Sequence, residues 1–397
     1  MNATSHLPGD ALVIGAGLAG AALCALLARR GLRVSLLDAA DGPAQGASGL
    51  PVGMLSPHVT RAPTPLSRLS ALGMDDMLAE LHRCVPPGAG WQPCEVDNLG
   101  HNPGRWPAAL VRPAALVQAW LGGAREHDRL DVQWNTPVQR LRREAASGHW
   151  QALSDDGRVL AQAPVAVVAA AYGSRDLLQC STGQTTDTLP LRPVQGQMSL
   201  AELEGEPLAP RPRRDNGVFV PAYQDSGLPP QWPGRVWAMG STYERGQTDC
   251  RLSEAAHERN ALSLQALSLA AEQHMRQQMA RGDLLGWAQV RCASQDRLPL
   301  MGAVPDLQSL HALVAAAGSR RSRMTLADVP RWPGLYTLSA LGSRGLTLSH
   351  WCARQLVLMI MGEATDLPAE HHDLLRALDP ARFAWKQARR QVPSSTH

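Results

Sequence analysis

Lysine is almost absent from this 397-residue chain: Lys386 stands alone among 38 basic residues, so nearly all positive charge is arginine. Phenylalanine and tyrosine are also scarce, at 2 and 4 against 11 tryptophans. Such a joint shortage reads as the composition of a GC-rich genome. The narrower reading is a surface that favours planar guanidinium contacts to phosphate or carboxylate, and a net charge of +3 is too small to choose between them. Charged residues make up only 18%, while Gly and Pro number 35 and 30, which excludes disorder and coiled coil as descriptions of the whole. The seven cysteines form no CxxC pair and leave one odd. That argues against a disulfide framework or a zinc site and for a reducing compartment, hence a cytoplasmic location. The opening MNATSHLPGD has no basic n-region, so no signal peptide is expected. Residues 11–28 do reach the ~18-residue length of a membrane span. Three glycines near the start of that run and the break at Arg29-Arg30-Gly31 point away from the membrane.

What is present is organised. The length suits two domains, possibly three. Residues 11–14 form a short apolar run that ends at Gly15-Ala16-Gly17-Leu18-Ala19-Gly20, followed by the helix former AALCALLARR, a stop at Gly31, and a second apolar run ending at Asp38. Strand, glycine turn, helix, strand and acid is the order a dinucleotide fold requires. Gly15 permits the tight turn, Gly17 lets backbone approach a pyrophosphate, Gly20 lets helix and strand pack, and Asp38 accepts from an adenosine ribose. An acid at position 38 disfavours a ribose 2′-phosphate, leaving NAD and FAD. A second small-residue loop, Gly46-Ala47-Ser48-Gly49 through Gly53, suits a second close approach of backbone, and so FAD.

With these motifs the chain resembles the D-amino-acid oxidase and glycine oxidase superfamily of FAD-dependent amine oxidoreductases. Residues 165–171 with Tyr172-Gly173 are similar to its strand that turns at the flavin, through Ala170 and Gly173. Asn135-Thr136-Pro137-Val138 is similar to its adenine-contacting strand, with Val138 at the backbone-contact position, and residues 191–197 to its crossing into the substrate domain. Arg291, Asp296 and Pro299 match an R-x4-D-x-x-P element, and Ala340-Leu341-Gly342-Ser343-Arg344-Gly345-Leu346 resembles the loop opening the last helix against the flavin. Within the superfamily the chain best resembles the oxidoreductase domain of the bifunctional tRNA 5-methylaminomethyl-2-thiouridine biosynthesis proteins. The similarity extends from about residue 10 to about 390 through GASG-x3-G, Gly240-Ser241-Thr242-Tyr243 with Thr248-Asp249, and RCASQDRLPLMGAVPD at 291–306. In that family a methyltransferase domain precedes the oxidoreductase. Here the cofactor motif begins at residue 15, so the oxidative half alone is expected, with a separate methyltransferase for the next step.

The resemblance implies an α/β fold: a Rossmann-like FAD domain from 1–75, 113–195 and 290–363, and an α+β substrate domain with a mixed or antiparallel sheet from 76–112 and 196–289. A basic helical tail is expected over 364–397, and a helix-like run over 254–281 whose leucines at 262, 264, 267 and 269 give one apolar face. Non-covalent FAD is implied, held by Gly15, Gly17, Leu18, Ala19, Gly20, Asp38, Ala47, Ser48, Gly49, Val138, Ala170, Gly173 and residues 342–346. The implied substrate is the carboxymethylaminomethyl arm of a tRNA wobble uridine, oxidised next to its carboxylate and hydrolysed to glyoxylate and the aminomethyl nucleoside. Arg291 stands where glycine oxidases place a carboxylate-binding arginine, a natural bidentate clamp. Arg344 is second, Arg297 and Arg245 weaker, and Tyr243 borders the pocket. Asp296 orients its loop. No base is required by a neutral amine, no histidine sits in these motifs, His371-His372 reads as a solvated tail, and no metal is assigned. Cys292 reads as an ordinary buried cysteine. Arginine clusters at 211/213/214, 320/321/323 and 389/390 are candidates for tRNA phosphates. The alternative is an oxidase or dehydrogenase of a free amino acid such as glycine, sarcosine or a D-amino acid.

Overall fold

The computed structural model describes residues 9–317 and 322–390. The chain opens with β1 (Ala11–Ile14), α1 (Leu18–Arg29) and β2 (Val34–Leu37), and α1 ends where Gly31 takes a φ of 84°. Then come β3 (Gly53–Leu55), α2 (Pro65–Cys84), the paired β4 (Trp91–Asn98) and β5 (Gly104–Val111), α3 (Pro113–Glu126) and β6 (Leu130–Gln133). A meander of β7 (Arg140–Arg143), β8 (Trp150–Leu153) and β9 (Val159–Ala163) leads into β10 (Val165–Val168) and α4 (Ser174–Thr182). The next stretch is mostly extended: β11 (Leu191–Glu202), β12 (Arg213–Asp215), β13 (Gly217–Gln224), β14 (Arg235–Gly240) and β15 (Glu244–Arg245). After α5 (Glu254–Leu267) and α6 (Leu269–Arg281) the chain returns through β16 (Leu285–Ser294), β17 (Leu300–Pro305), α7 (Leu307–Ala316) and β18 (Arg331–Ser339). It closes with α8 (Gly345–Ile360), α9 (His372–Leu378) and α10 (Arg382–Arg390).

Two sheets carry the architecture. In the first, β18, β10, β1, β2 and β6 run parallel in that order, with β17 antiparallel at the β18 edge. Alternate residues of β1 serve opposite cores. Ala11 and Val13 pack with α1, α3 and α8, while Leu12 and Ile14 pack with Trp150 and Ala152 of the meander. Burial on both faces is why these strands read as unbroken apolar runs. The second sheet is mixed, in the order β15-β11-β14-β13-β12-β4-β5-β3, with β16 also paired to β11. Phe219, Trp237 and Met239 on one face pack under α5 and α6, while Met198, Val220 and Ala238 belong to a separate core with Val52. The fold is therefore a Rossmann-like parallel sheet joined to a large mixed sheet.

Several expected boundaries shift for physical reasons. A division at 75/76 falls inside α2, an unbroken helix pressed so close to α8 that a Cβ on Gly73 would lie 2.2 Å from the Thr347 carbonyl oxygen. β3, the start of β11 and the end of β16 belong to the large sheet, although they lie in segments assigned to the cofactor domain. The single helix expected over 254–281 breaks at Ser268, which turns extended and caps α6 by accepting from the Ala271 N–H at 3.4 Å. Leu264 and Leu267 face inward, whereas Leu262 and Leu269 are exposed, so the expected leucine face is only half realised. The tail is docked as far as residue 390. Ala384, Trp385 and Ala388 pack against α7, Arg382 grips both oxygens of Asp296, and His371 Nδ1 accepts from Arg68 at 3.1 Å. Among the described residues no helix is long and apolar enough to cross a membrane.

One buried ion pair ties the large sheet to the start of α3. Arg112 Nε donates to Asp225 Oδ2 at 2.7 Å, the two side chains being 8% and 1% exposed, and Asp225 also accepts from the Tyr223 hydroxyl and the Gly227 N–H. Removing one partner leaves the other charge buried and alone. Asp225→Ala is expected to cost about 3–5 kcal/mol in urea denaturation, against about 1 kcal/mol for Tyr223→Phe.

Candidate active site

The parallel sheet ends in the turn that begins the site. Gly15 takes a φ of 107°, and a Cβ there would lie 2.6 Å from the Ala169 carbonyl oxygen beyond β10. At Gly20 a Cβ would sit 1.8 Å from the Gly15 carbonyl oxygen, so α1 crosses the turn at a distance that only glycine allows. The start of α1, Gly17 to Ala19, lines a cavity of about 590 Å³ at the carboxyl ends of β1, β10 and β18, where open α/β sheets bind ligands. The second small-residue loop folds onto this helix start. Ala47–Gly49 forms one helical turn, and Ser48 Oγ accepts the Leu18 N–H at 3.0 Å. With no acid in its first turn, α1 presents an N-terminal dipole suited to a pyrophosphate.

Asp38 lies just beyond β2, its Oδ2 accepting from the Ala16 N–H at 2.5 Å and Oδ1 from the Ala40 N–H at 2.8 Å. Each carboxylate oxygen keeps a further acceptor site for a ribose hydroxyl. The segment expected as an adenine-contacting strand is instead a connector between β6 and β7. Its Thr136 N–H donates to the Asp38 carbonyl at 2.8 Å, and Val138 is half-buried outside the cavity lining. Gly15, Gly20, Asp38, Gly49, Ala170 and Gly173 also stand behind the lining, which takes Ala169 and Ala171 in place of 170 and 173. A helix start without an acid, a cradle that admits no Cβ and an acid at the end of β2 together fit an adenine dinucleotide.

Opposite this wall, the loop before α8 is pinned to β16. Gly342 N–H donates to the Cys292 carbonyl at 2.8 Å, and Ala293 pairs with Leu341. This places Gly342, Ser343, Arg344, Gly345 and Leu346 on the lining. The Cys292 thiol is buried and pushed up to about 12 by desolvation, which leaves it a poor nucleophile. Asp296 does orient its loop: Ser294 Oγ donates to it at 2.8 Å, and burial that would raise its carboxyl is outweighed by Arg382, so its pKa lies below the usual range.

The cavity's charged groups are three arginines, Arg214, Arg291 and Arg344, and one acid, Asp215. Arg291, on β16, lies flat against Gly196 of β11, where a Cβ would come within 2.0 Å of its Nη2. Its partners are the Ser241 hydroxyl and, at 3.5 Å, the Thr242 carbonyl, with the Tyr243 ring 6.0 Å away. Tyr243 also lines the cavity but is 46% exposed. Burial lowers the pKa of Arg291, and lowers that of Arg344 with help from Arg297. Among the described residues neither Arg291 nor Arg344 forms an ion pair.

Two more residues reach the lining, one of them unexpected and the other expected only as a member of a cluster. His58, in the connector after β3, has Nδ1 3.3 Å from Arg344 Nη2, and burial together with Arg344, Arg214 and Arg297 pushes its pKa down to about 4. A histidine therefore does belong to the site, reached from a stretch with no motif of its own. Arg214 is the second, and the arginine cluster around it splits up. Arg211 pairs with Asp97 at 3.3 Å and Arg213 donates to the Leu267 carbonyl at 2.7 Å, while only Arg214 reaches the cavity. Arg320 and Arg321 lie outside the described residues, Arg323 is exposed, and Arg389 sits 5.8 Å over the Trp385 ring.

The FAD dependent oxidoreductase family profile matches residues 10–109 and 102–359. The chain belongs to that family. It is an oxidoreductase whose cofactor is FAD, consistent with the cradle at α1. Over 95% of its length it is 36% identical to the tRNA 5-methylaminomethyl-2-thiouridine biosynthesis bifunctional protein of Paracidovorax citrulli, and 34% identical to that of Verminephrobacter eiseniae. The chain spans 61% and 64% of those two relatives. Among solved structures it is similar to glycine oxidase from Geobacillus kaustophilus, with a TM-score of 0.70 at 17% identity over 95% of this chain and 99% of that one. L-proline dehydrogenase from P. horikoshii gives 0.68 at 13% identity with the same coverage. At these identities the structural likeness speaks for the fold.

Two outcomes follow for this flavoenzyme. Gly20→Val forces α1 off its turn, and flavin content, read from visible absorbance per protein, should fall by about tenfold or more, since backbone approach and helix dipole act together there. His58 is neutral in the folded protein down to a pH of about 4, against an ordinary 6.5. It binds fewer protons folded than unfolded, so its contribution to stability is complete above pH ~6.5 and is lost as pH falls toward ~4. His58→Gln should flatten that part of the denaturation-midpoint profile.

Proposed function

We propose that this flavoenzyme oxidises the C–N bond of an N-substituted glycine, the carboxymethylaminomethyl arm on the wobble uridine of a tRNA. The observation that carries the reading is Arg291: a desolvated guanidinium on a rigid strand, bonded to a hydroxyl and a carbonyl, with no carboxylate of its own. Such a charge is costly unless a ligand completes it, and its planar fork matches a carboxylate. The likeness to the two tRNA-modifying relatives supports the uridine as the carrier of that carboxylate.

Bound FAD would supply the two-electron oxidation at the carbon beside the carboxylate. The secondary amine also loses a proton, and the resulting imine takes up water, breaking the C–N bond to give glyoxylate and a primary amine. The protein's part is placement. Arg291 fixes the carboxylate, and the Gly196 backbone behind it keeps the guanidinium from retreating. Arg344 sets positive charge beside the reacting region, and Tyr243 borders the arm. The neutral His58 adds no further positive charge beside the amine, which reacts in its neutral form. The aminomethyl product is a nucleophile suited to a separate methyltransferase, and a tRNA substrate places the reaction in the cytoplasm.

Anaerobic mixing of the holoenzyme with tRNA bearing the carboxymethylaminomethyl arm should bleach the flavin's visible absorbance and release glyoxylate. Bleaching by free glycine or sarcosine but not by that tRNA would overturn the proposal in favour of an amino-acid oxidase. Arg291→Gln should raise the half-saturating tRNA concentration by about 10- to 100-fold, the loss of a charge-assisted bidentate contact, while flavin content is retained.

A further inference from the structure

Arg291 accounts for one anion, and the lining still holds two further arginines against a single acid, Asp215. Arg214 reaches it from β12 of the large sheet, its Nε donating to Asn98 Oδ1 at 3.0 Å and its Nη1 to Ser56 Oγ at 2.7 Å, both neutral acceptors. Arg344 reaches it from the loop before α8 and donates to another neutral group, His58 Nδ1. Since arginine can only donate, that contact leaves Nε2 of His58 as its protonated, donating nitrogen. Among the described residues neither Arg214, Arg344 nor the neighbouring Arg297 has an acidic partner. Burial alone lowers Arg214, and the charges that bear on His58 are Arg344, Arg214 and Arg297, with Arg291 not among them. Arg291 is bonded beside Ser241 and Thr242, while Arg214 and Arg344 both bear on His58, and Tyr243 acts on Arg291 and Arg344 alike.

We propose that Arg214, Arg344 and His58 form a second anion subsite, which takes a phosphate of the nucleotide whose base carries the reacting arm. The inference rests on the reading of the substrate as a modified tRNA uridine. The flavin pyrophosphate does not account for Arg214, because its site is the α1 start at Gly17 and Ser48, whereas Arg214 belongs to the large-sheet wall. Three donors arriving from three elements suit the several oxygens of a tetrahedral phosphate, where the single fork of Arg291 suits a flat carboxylate. The subsite also gives a physical basis for preferring a nucleotide over a free amino acid: sarcosine has one anionic group and leaves the second cluster without a counter-ion.

The test uses the holoenzyme and three probes: 5-carboxymethylaminomethyluridine, its 3′,5′-bisphosphate, and iminodiacetate, which carries a second carboxylate in place of phosphate. Half-saturating concentrations for anaerobic flavin reduction are compared, together with calorimetric binding of uridine and uridine 3′,5′-bisphosphate, which have no reacting arm. The wild type should prefer the bisphosphate over the nucleoside by about tenfold or more, a preference that weakens with added salt. Arg214→Gln should cut the ratio by about tenfold, and Arg214→Lys should restore part of it. If Arg214→Gln yields no flavin-loaded protein, the wild-type ratio, its salt dependence and the same ratio in His58→Asn decide the matter. Equal binding of nucleoside and bisphosphate overturns the subsite while leaving the functional reading in place. Failure of both uridines to reduce the flavin overturns the functional reading itself. Reduction by iminodiacetate alone, with an affinity sensitive to Arg214→Gln, overturns both and assigns the pocket to a dicarboxylic amine.

Discussion

The ladder between β11 and β16 is the interaction on which the site depends. It pairs ten residues of each strand, from Leu191 opposite Ser294 to Leu200 opposite Leu285. Through it the large sheet reaches the edge of the parallel sheet, because β16 runs directly toward β17 and the loop before α8 bonds back to Cys292 and Ala293. The same ladder puts Gly196 behind Arg291. A substitution that slipped the register by one residue would turn Arg291 to the other face, since strand side chains alternate. The position of the carboxylate clamp is thus a property of sheet pairing more than of any local loop.

The cofactor half was legible in the sequence because its signals are local. Gly15, Gly17 and Gly20 follow one strand and open one helix, and Asp38 closes the next, so a short window contains the whole argument. Arg291 and Arg344 were legible for a related reason, each lying in a compact motif. His58 was not, and Arg214 was legible only as one of a cluster of three. Each meets the cavity only because β3 pairs with β5 and β12 pairs with β4, contacts between stretches far apart in the chain. The three arginines at 211, 213 and 214 look alike in sequence, yet alternation along the chain and the neighbours of each send them to an acid, a helix carbonyl and the cavity. Ser268 shows the same limit in a helix: 254–281 has helical periodicity, but a serine able to cap a new start turned one helix into two.

The arginine-rich composition takes on a structural meaning only when the arginines are sorted by partner. Arg112, Arg331 and Arg382 each hold a carboxylate and fasten distant parts of the fold, at Asp225, Asp379 and Asp296. Arg214, Arg291 and Arg344 share the same chemistry but face neutral oxygens and nitrogens. One residue type thus serves as internal fastener and as an open receptor for anions, distinguished by the presence or absence of an acid beside it. Composition alone does not sort these arginines; the geometry explains which of them can act on a ligand.

The strand order also governs how the molecule comes into being. β1 comes early in this stretch of chain, yet its neighbours in the parallel sheet are β2 and β10, and beyond β10 lies β18, more than three hundred residues later. A growing chain cannot complete the flavin cradle until β18 has left the ribosome, and closing such long loops is slow. During that interval the edge of β10 that later pairs with β18 is open, and an unpaired apolar strand edge invites aggregation. Flavin binds only the finished arrangement, so its supply in the cell draws the last assembly steps forward by mass action. The cofactor is in this sense a folding partner as well as a reagent.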